Sequence, residues 1–166
     1  TQSTLRGPSS VLYASPFVYV ADTGNNRILA FTGATLNNGM NAAKVLGQTT
    51  FIANTAAITQ IGVNRPASFG FIPSTSRLFV GEYSNNRVSV FDVASITNGE
   101  SAVDALGQYD DSLSAPSPVY TRSTAHNGPS KLGLSGNRGL FLDTLLHRLF
   151  VSAAGNPRIL VYHLPT

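Results

Sequence analysis

Six arginines stand at recurring places in this 166-residue chain. A guanidinium is the side chain best built to grip a carboxylate, sulfate or phosphate through paired N–H donors. Arg6, Arg65 and Arg138 occur in "LRGP", "NRPA" and "NRGL"; Arg27, Arg87 and Arg158 occur in "NNRILAF", "NNRVSVF" and "NPRILVY". Asp22 precedes Arg27 by five residues and Glu82 precedes Arg87 by the same interval. Asp22, Arg27, Glu82 and Arg87 are therefore expected to brace turns or adjoining elements. Arg158 has Ala153 where the acid would stand, so it joins Arg6, Arg65 and Arg138 as a candidate ligand-binding residue.

Other chemistry is sparse. His126, His147 and His163 have neither the i, i+4 spacing nor the HExxH context of a zinc site, and they read as surface residues. Asp110-Asp111 offers two oxygen ligands of the kind calcium takes, but adjacent acids in a Ser/Pro-rich loop read more simply as solvated. "GLSGNRG", from Gly133 to Gly139, lacks the Lys-Ser/Thr ending of a phosphate loop and the final glycine of a nucleophile elbow. No catalytic residue, metal or cofactor is expected.

The elements that must carry the arginines repeat. "VYVADTGNNRILAF" (Val18 to Phe31) returns sixty positions later as "LFVGEYSNNRVSVF" (Leu78 to Phe91), and again as "LFVSAAGNPRILVY" (Leu149 to Tyr162). Asn38-Gly39 then falls on Asn98-Gly99, and Leu46-Gly47-Gln48 on Leu106-Gly107-Gln108. Short runs of Val, Ile, Phe and Tyr bounded by Gly, Asn, Pro and Ser are β-strands, and no segment sustains a helical period. Each unit reads as four strands, which in the second copy are "ASFGFI", "RLFVGE", "RVSVFDV" and "AVDALGQ". "TGNN" and "YSNN" suit the turn between the second and third strands, since Asn tolerates the left-handed conformation. The Asn-Gly pairs suit a type I′ turn between the third and fourth strands.

The second strands are apolar on both faces. Val18 and Val20 alternate with Tyr19 and Ala21; Leu78 and Val80 with Phe79 and Gly81; Leu149 and Val151 with Phe150 and Ser152. A sheet with one wet face would alternate apolar with polar. Burying each Phe or Leu is worth about 1.5–3 kcal/mol, so each small sheet should be sandwiched between neighbours, as in a β-propeller. In such blades the starts of the first and third strands share a rim. All six arginines would gather there.

The "VYVADTGNNRILAF" stretch, its echo and the following "AAKVLGQTTF" resemble the NHL-repeat family, in its bacterial long-repeat form with a "VLGQ" strand. The resemblance implies an all-β chain of about three four-stranded antiparallel blades. These would occupy residues 5–48, 64–108 and 132–166 of a single propeller segment, with linkers at 49–63 and 109–131. It also implies a surface that binds protein, RNA or other ligands. Some relatives of that kind are lyases or lactonases with channel metals, but no inward His, Asp or Glu repeats here. The third copy departs from the pattern, because Pro157 replaces the second Asn and no "LGQ" strand follows, so the last blade is expected to be incomplete. Three blades fall short of the four to eight of a closed ring. The expected partners are thus further copies, closing a ring or extending a filament, or the remainder of a longer propeller. "TQSTL" at the start is one segment placed to complete a partner's third blade, although it is unlike "KVLGQ".

Composition narrows the setting. Charged residues are 11%, well under the quarter usual in soluble domains, and cysteine is absent. That balance points to an extracellular or cell-surface protein. The net charge of +3 comes without a basic run, which leaves an acidic polymer or protein as the ligand class for the rim. No apolar stretch approaches the roughly 18 residues of a membrane helix.

Overall fold

The computed structural model describes residues 1–110, 117–125 and 133–165. Its strands are β1 Ser10–Ala14, β2 Phe17–Asp22, β3 Arg27–Thr32, β4 Lys44–Leu46, β5 Pro66–Ile72, β6 Arg77–Glu82 and β7 Arg87–Asp92. They continue with β8 Ala102–Leu106, β9 Tyr109–Asp110, β10 Ser117–Pro118, β11 Asn137–Asp143, β12 Arg148–Ala153 and β13 Arg158–His163. The chain is all-β, and among the described residues its only helical pieces are two three-residue 3₁₀ turns, Thr23–Asn25 and Gly33–Thr35. Strands pair antiparallel in chain order as β1-β2-β3-β4, β5-β6-β7-β8 and β11-β12-β13, with a small β9–β10 ribbon beside them.

The repeated sequence produces a repeated register. Val20 faces Leu29, Val80 faces Ser89 and Val151 faces Leu160 at equivalent positions of the three sheets. Side-chain period two then places Leu78, Val80 and Phe91 on one face of the middle sheet, and Phe79, Val88 and Val90 on the other. The first set packs with Tyr19, Ala21, Ile28, Ala30 and Leu46 of the first sheet. The second packs with Leu149, Val151 and Ala153 of the third. The middle sheet is dry on both faces. Neighbouring sheets approach most closely along their first strands, β1 against β5 and β5 against β11. Gly70 lies at one such approach, where a Cβ would sit 3.6 Å from that of Leu142.

The outer sheets do not repeat this double burial. On the first, Val11 is 67% and Tyr13 65% exposed; on the third, Phe141 and Ile159 are each 66% exposed. Among the described residues, their outer faces lack the neighbour that covers the same positions of the middle sheet. The far part of the first sheet's outer face is covered from within the chain: Leu29 and Val45 pack with Ala42, Phe31 and Phe51. "TQSTL" lies there too, with the Gln2 carbonyl accepting from Ala42 N at 3.0 Å. It is engaged with its own sheet.

The Asn-Gly pairs also depart from the sequence reading. Gly39 and Gly99 take positive φ (75° and 72°) but Asn38 and Asn98 do not, so neither pair forms a type I′ turn. The connections are long, 33–43 and 93–101. They carry buried Ala42, Val93 and Ile96 into the core. Asn98-Gly99 serves a different purpose: its side-chain oxygen accepts from Val45 N at 3.1 Å, and Gly99 N donates to the Val45 carbonyl at 3.1 Å. The pair ties the second sheet's loop to β4 of the first.

Candidate functional site

The site lies at one end of the sheets, where β2 turns into β3, β6 into β7 and β12 into β13. In the first turn Arg27 Nε donates to Asp22 Oδ2 at 2.7 Å, and its other nitrogens reach the carbonyls of Thr4 (2.8 Å), Thr1 (3.1 Å) and Phe51. In the second, Arg87 Nε donates to Glu82 Oε1 at 2.7 Å, while its Nη atoms reach the carbonyls of Thr59 and Gly62 at 2.9 Å and of Tyr120 at 3.2 Å. Both pairs are buried. Glu82 also receives Asn64 N, Asn85 Nδ2 and Ser89 Oγ, and Asp22 receives Arg6 N and Asn25 Nδ2. With every carboxylate oxygen and several loop carbonyls satisfied, these four residues cross-link a turn to the segment that enters the sheet.

The two asparagines of each motif divide the work. Asn25 and Asn85 bond the acid; Asn26 and Asn86 sit left-handed at φ 49° and 52°. From there Asn26 Oδ1 accepts from Arg65 N at 3.0 Å and Asn86 Oδ1 accepts from Gly136 N at 2.7 Å, each reaching the start of the next sheet. "GLSGNRG" is therefore the entry to β11, pinned by Asn86. The "LGQ" residues close the same corner. Gln48 Nε2 donates to the carbonyls of Asn26 and Thr55, and Gln108 Nε2 to those of Asn86 and Thr124. Gly47 has φ 81°, and a Cβ there would collide with Val63. Gly47→Ala should therefore lower stability by about 1–3 kcal/mol in urea titration. A change under about 0.5 kcal/mol would show that this corner is loose.

Arg158 is engaged within its own chain. It donates to the Gly133 carbonyl at 2.7 Å, as Arg87 does to Gly62, and lines neither concavity described below. The lack of an acid in its repeat did not free it, because in all three copies this arginine also donates to a loop carbonyl, that of Thr4, Gly62 or Gly133.

Arg6, Arg65 and Arg138 are exposed, and none takes part in the ion pairs formed among the described residues. Arg65 and Arg138 both lie over the ring of Tyr83, 5.2 and 4.9 Å from its centroid. Together with Ser9, Thr23 and Ala67 they line a shallow concavity of about 470 Å³. A second of similar size holds Arg6, Asn26, Asn64 and Arg65. Cation–π contact to Tyr83 orients both guanidiniums, and Arg138 Nη2 also donates to the Tyr83 hydroxyl at 3.5 Å. Tyr83 carried no signal in the sequence beyond its place in "EYSNN".

The histidines do not converge. His147 lies in the β11–β12 turn at φ 50°, His163 is exposed at the end of β13, and His126 falls outside the described residues, as does Asp111. Among the described residues no three of His, Cys, Asp or Glu cluster as metal ligands would. No helix among them is long and apolar enough to cross a membrane. No protein-family model matches the chain, and no curated protein is significantly similar to it.

Proposed function

We propose that the chain is a non-catalytic interaction module: a segment of an NHL-type β-propeller, with blades at 5–48, 64–108 and 132–166, that associates through its two open flanks. One observation carries this reading. The outward faces of the first and third sheets use the same positions that pack sheet against sheet inside the molecule, and they are still apolar where solvent meets them. Exposed apolar sheet faces of this kind mark association surfaces. A flank that meets the opposite flank of another copy makes a head-to-tail contact, which closes into a ring or runs on as a filament. Native mass spectrometry tests it: oligomers of two or more chains support the module, and a stable monomer at micromolar concentration contradicts it. The sparse charge fits work outside the cell or at its surface. A metal-dependent lyase or lactonase reading has no residue cluster on which to rest among the described positions.

The Arg6, Arg65 and Arg138 rim gives the module a second surface, suited to an acidic polymer. Replacing all three with alanine should weaken binding to heparin, used as the probe, at least tenfold at low salt, where surface charges are least screened. Unchanged affinity would remove the rim from the binding surface.

A further inference from the structure

Strand β13 is the third strand of its sheet, and among the described residues it pairs only with β12. In the other two sheets the equivalent strand also pairs with a fourth strand. There Ile28 of β3 faces Leu46, and Val88 of β7 faces Leu106, so in both cases the leucine of a "Leu-Gly-Gln" ending lies opposite the residue after the arginine. The equivalent of Ile28 and Val88 is Ile159, which is 66% exposed, with Val161 beyond it at 45%. On the other side of this free edge a cleft of about 540 Å³ opens between the second and third sheets, lined by Phe79, Val90, Leu106, Tyr109 and Tyr162. The Tyr162 hydroxyl is buried there with no hydrogen-bond partner among the described residues. Arg77 and Asp104 also line this cleft. An unpaired apolar edge beside a partly apolar cleft is the arrangement that strand addition uses: main-chain bonds supply affinity and alternate side chains supply specificity.

We propose that the free edge of β13 accepts an extended segment of the type Lys/Asp–Val/Ala–Leu–Gly–Gln as an added fourth strand. The two fourth strands already present, Lys44-Val45-Leu46-Gly47-Gln48 and Asp104-Ala105-Leu106-Gly107-Gln108, define that pattern. The added leucine covers Ile159 on the outer flank. The small apolar residue before it lies on the side of Leu160, toward the cleft. The glutamine amide takes the place that Gln48 and Gln108 occupy, donating to the carbonyls of the preceding turn. "LGQ" occurs only in those two strands, both already paired, so the incoming strand is supplied from outside residues 1–166. This partner chemistry deepens the proposed flank association and rests on the same sheet, but its test is separate.

A labelled peptide, AKVLGQTTF (residues 43–51), is titrated into the whole 166-residue protein by fluorescence anisotropy, with hydrogen exchange read at residues 158–163. Saturable binding in the micromolar range with new protection at those amides supports the proposal. So does at least a tenfold loss of affinity for the Leu46→Asp peptide and for Ile159→Asp protein, the latter with an unchanged circular dichroism spectrum. No saturation up to millimolar peptide, equal binding of the Leu46→Asp peptide, or protection confined to other strands overturns it. If the protein assembles yet ignores the peptide, the strand-addition inference fails and the module reading stands. If a monomeric protein binds the peptide at β13, the reverse holds.

Discussion

Arg87→Leu is expected to lower the unfolding free energy by about 3–5 kcal/mol, the usual consequence of removing one member of a buried ion pair. Arg87 and Glu82 are both fully buried, and the substitution strands a carboxylate whose ion-pair partner is gone. Three loop carbonyls, of Thr59, Gly62 and Tyr120, lose their donor at the same time. Asn64 N, Asn85 and Ser89 still bond Glu82, which solvates the carboxylate but does not neutralise it. The double variant Glu82→Leu/Arg87→Leu should recover part of the loss, because no unpaired charge then remains, and a double-mutant cycle in urea isolates the coupling. A loss below about 1 kcal/mol for Arg87→Leu would contradict the bracing role.

Phe141→Asp should leave the single chain folded and abolish its association. The side chain is 66% exposed on the outer face of β11, beside Phe150 at 5.9 Å between ring centroids, so the isolated protein loses little. In an assembled flank the same position corresponds to Gly70 of the middle sheet, which lies at the closest approach between sheets. Burying an unpaired carboxylate there costs several kcal/mol, enough to weaken self-association at least a hundredfold. Sedimentation velocity across a concentration series reads the effect. An unchanged distribution of species for Phe141→Asp would move the contact surface away from this flank.

The strands were legible because their cause is local. Alternating Leu, Phe, Val and Gly in "RLFVGE" and "RVSVFDV", stopped by Asn and Ser, define β6 and β7 to within a residue, and the gapless repeat carries those limits to β2 and β3. The acid five residues before each of Arg27 and Arg87 was equally legible, since a hairpin brings those positions face to face. What escaped was set by contacts between units. Asn98-Gly99 has the composition of a tight hairpin, yet Val45 of the preceding sheet offers it an N–H and a carbonyl, and the tertiary contact overrides the turn preference. Arg158 looked available because its repeat lacks an acid; the Gly133 carbonyl that holds it belongs to a segment 25 residues away. Tyr83 became part of the rim only when β5 and β11 brought Arg65 and Arg138 over its ring. The Gln of "LGQ" was a family resemblance in sequence and a capping amide in structure. Nothing in its spacing announced the carbonyls it would meet.

The exposed parts of the outer faces of the first and third sheets are the proposed interfaces, left uncovered in the single chain. Native mass spectrometry of the purified protein at micromolar concentration, at physiological ionic strength, measures this most directly. Particles of two or more chains, returned to single chains by Phe141→Asp, are the expected result. A lone chain that stays folded, monodisperse and soluble with both faces in water would contradict it.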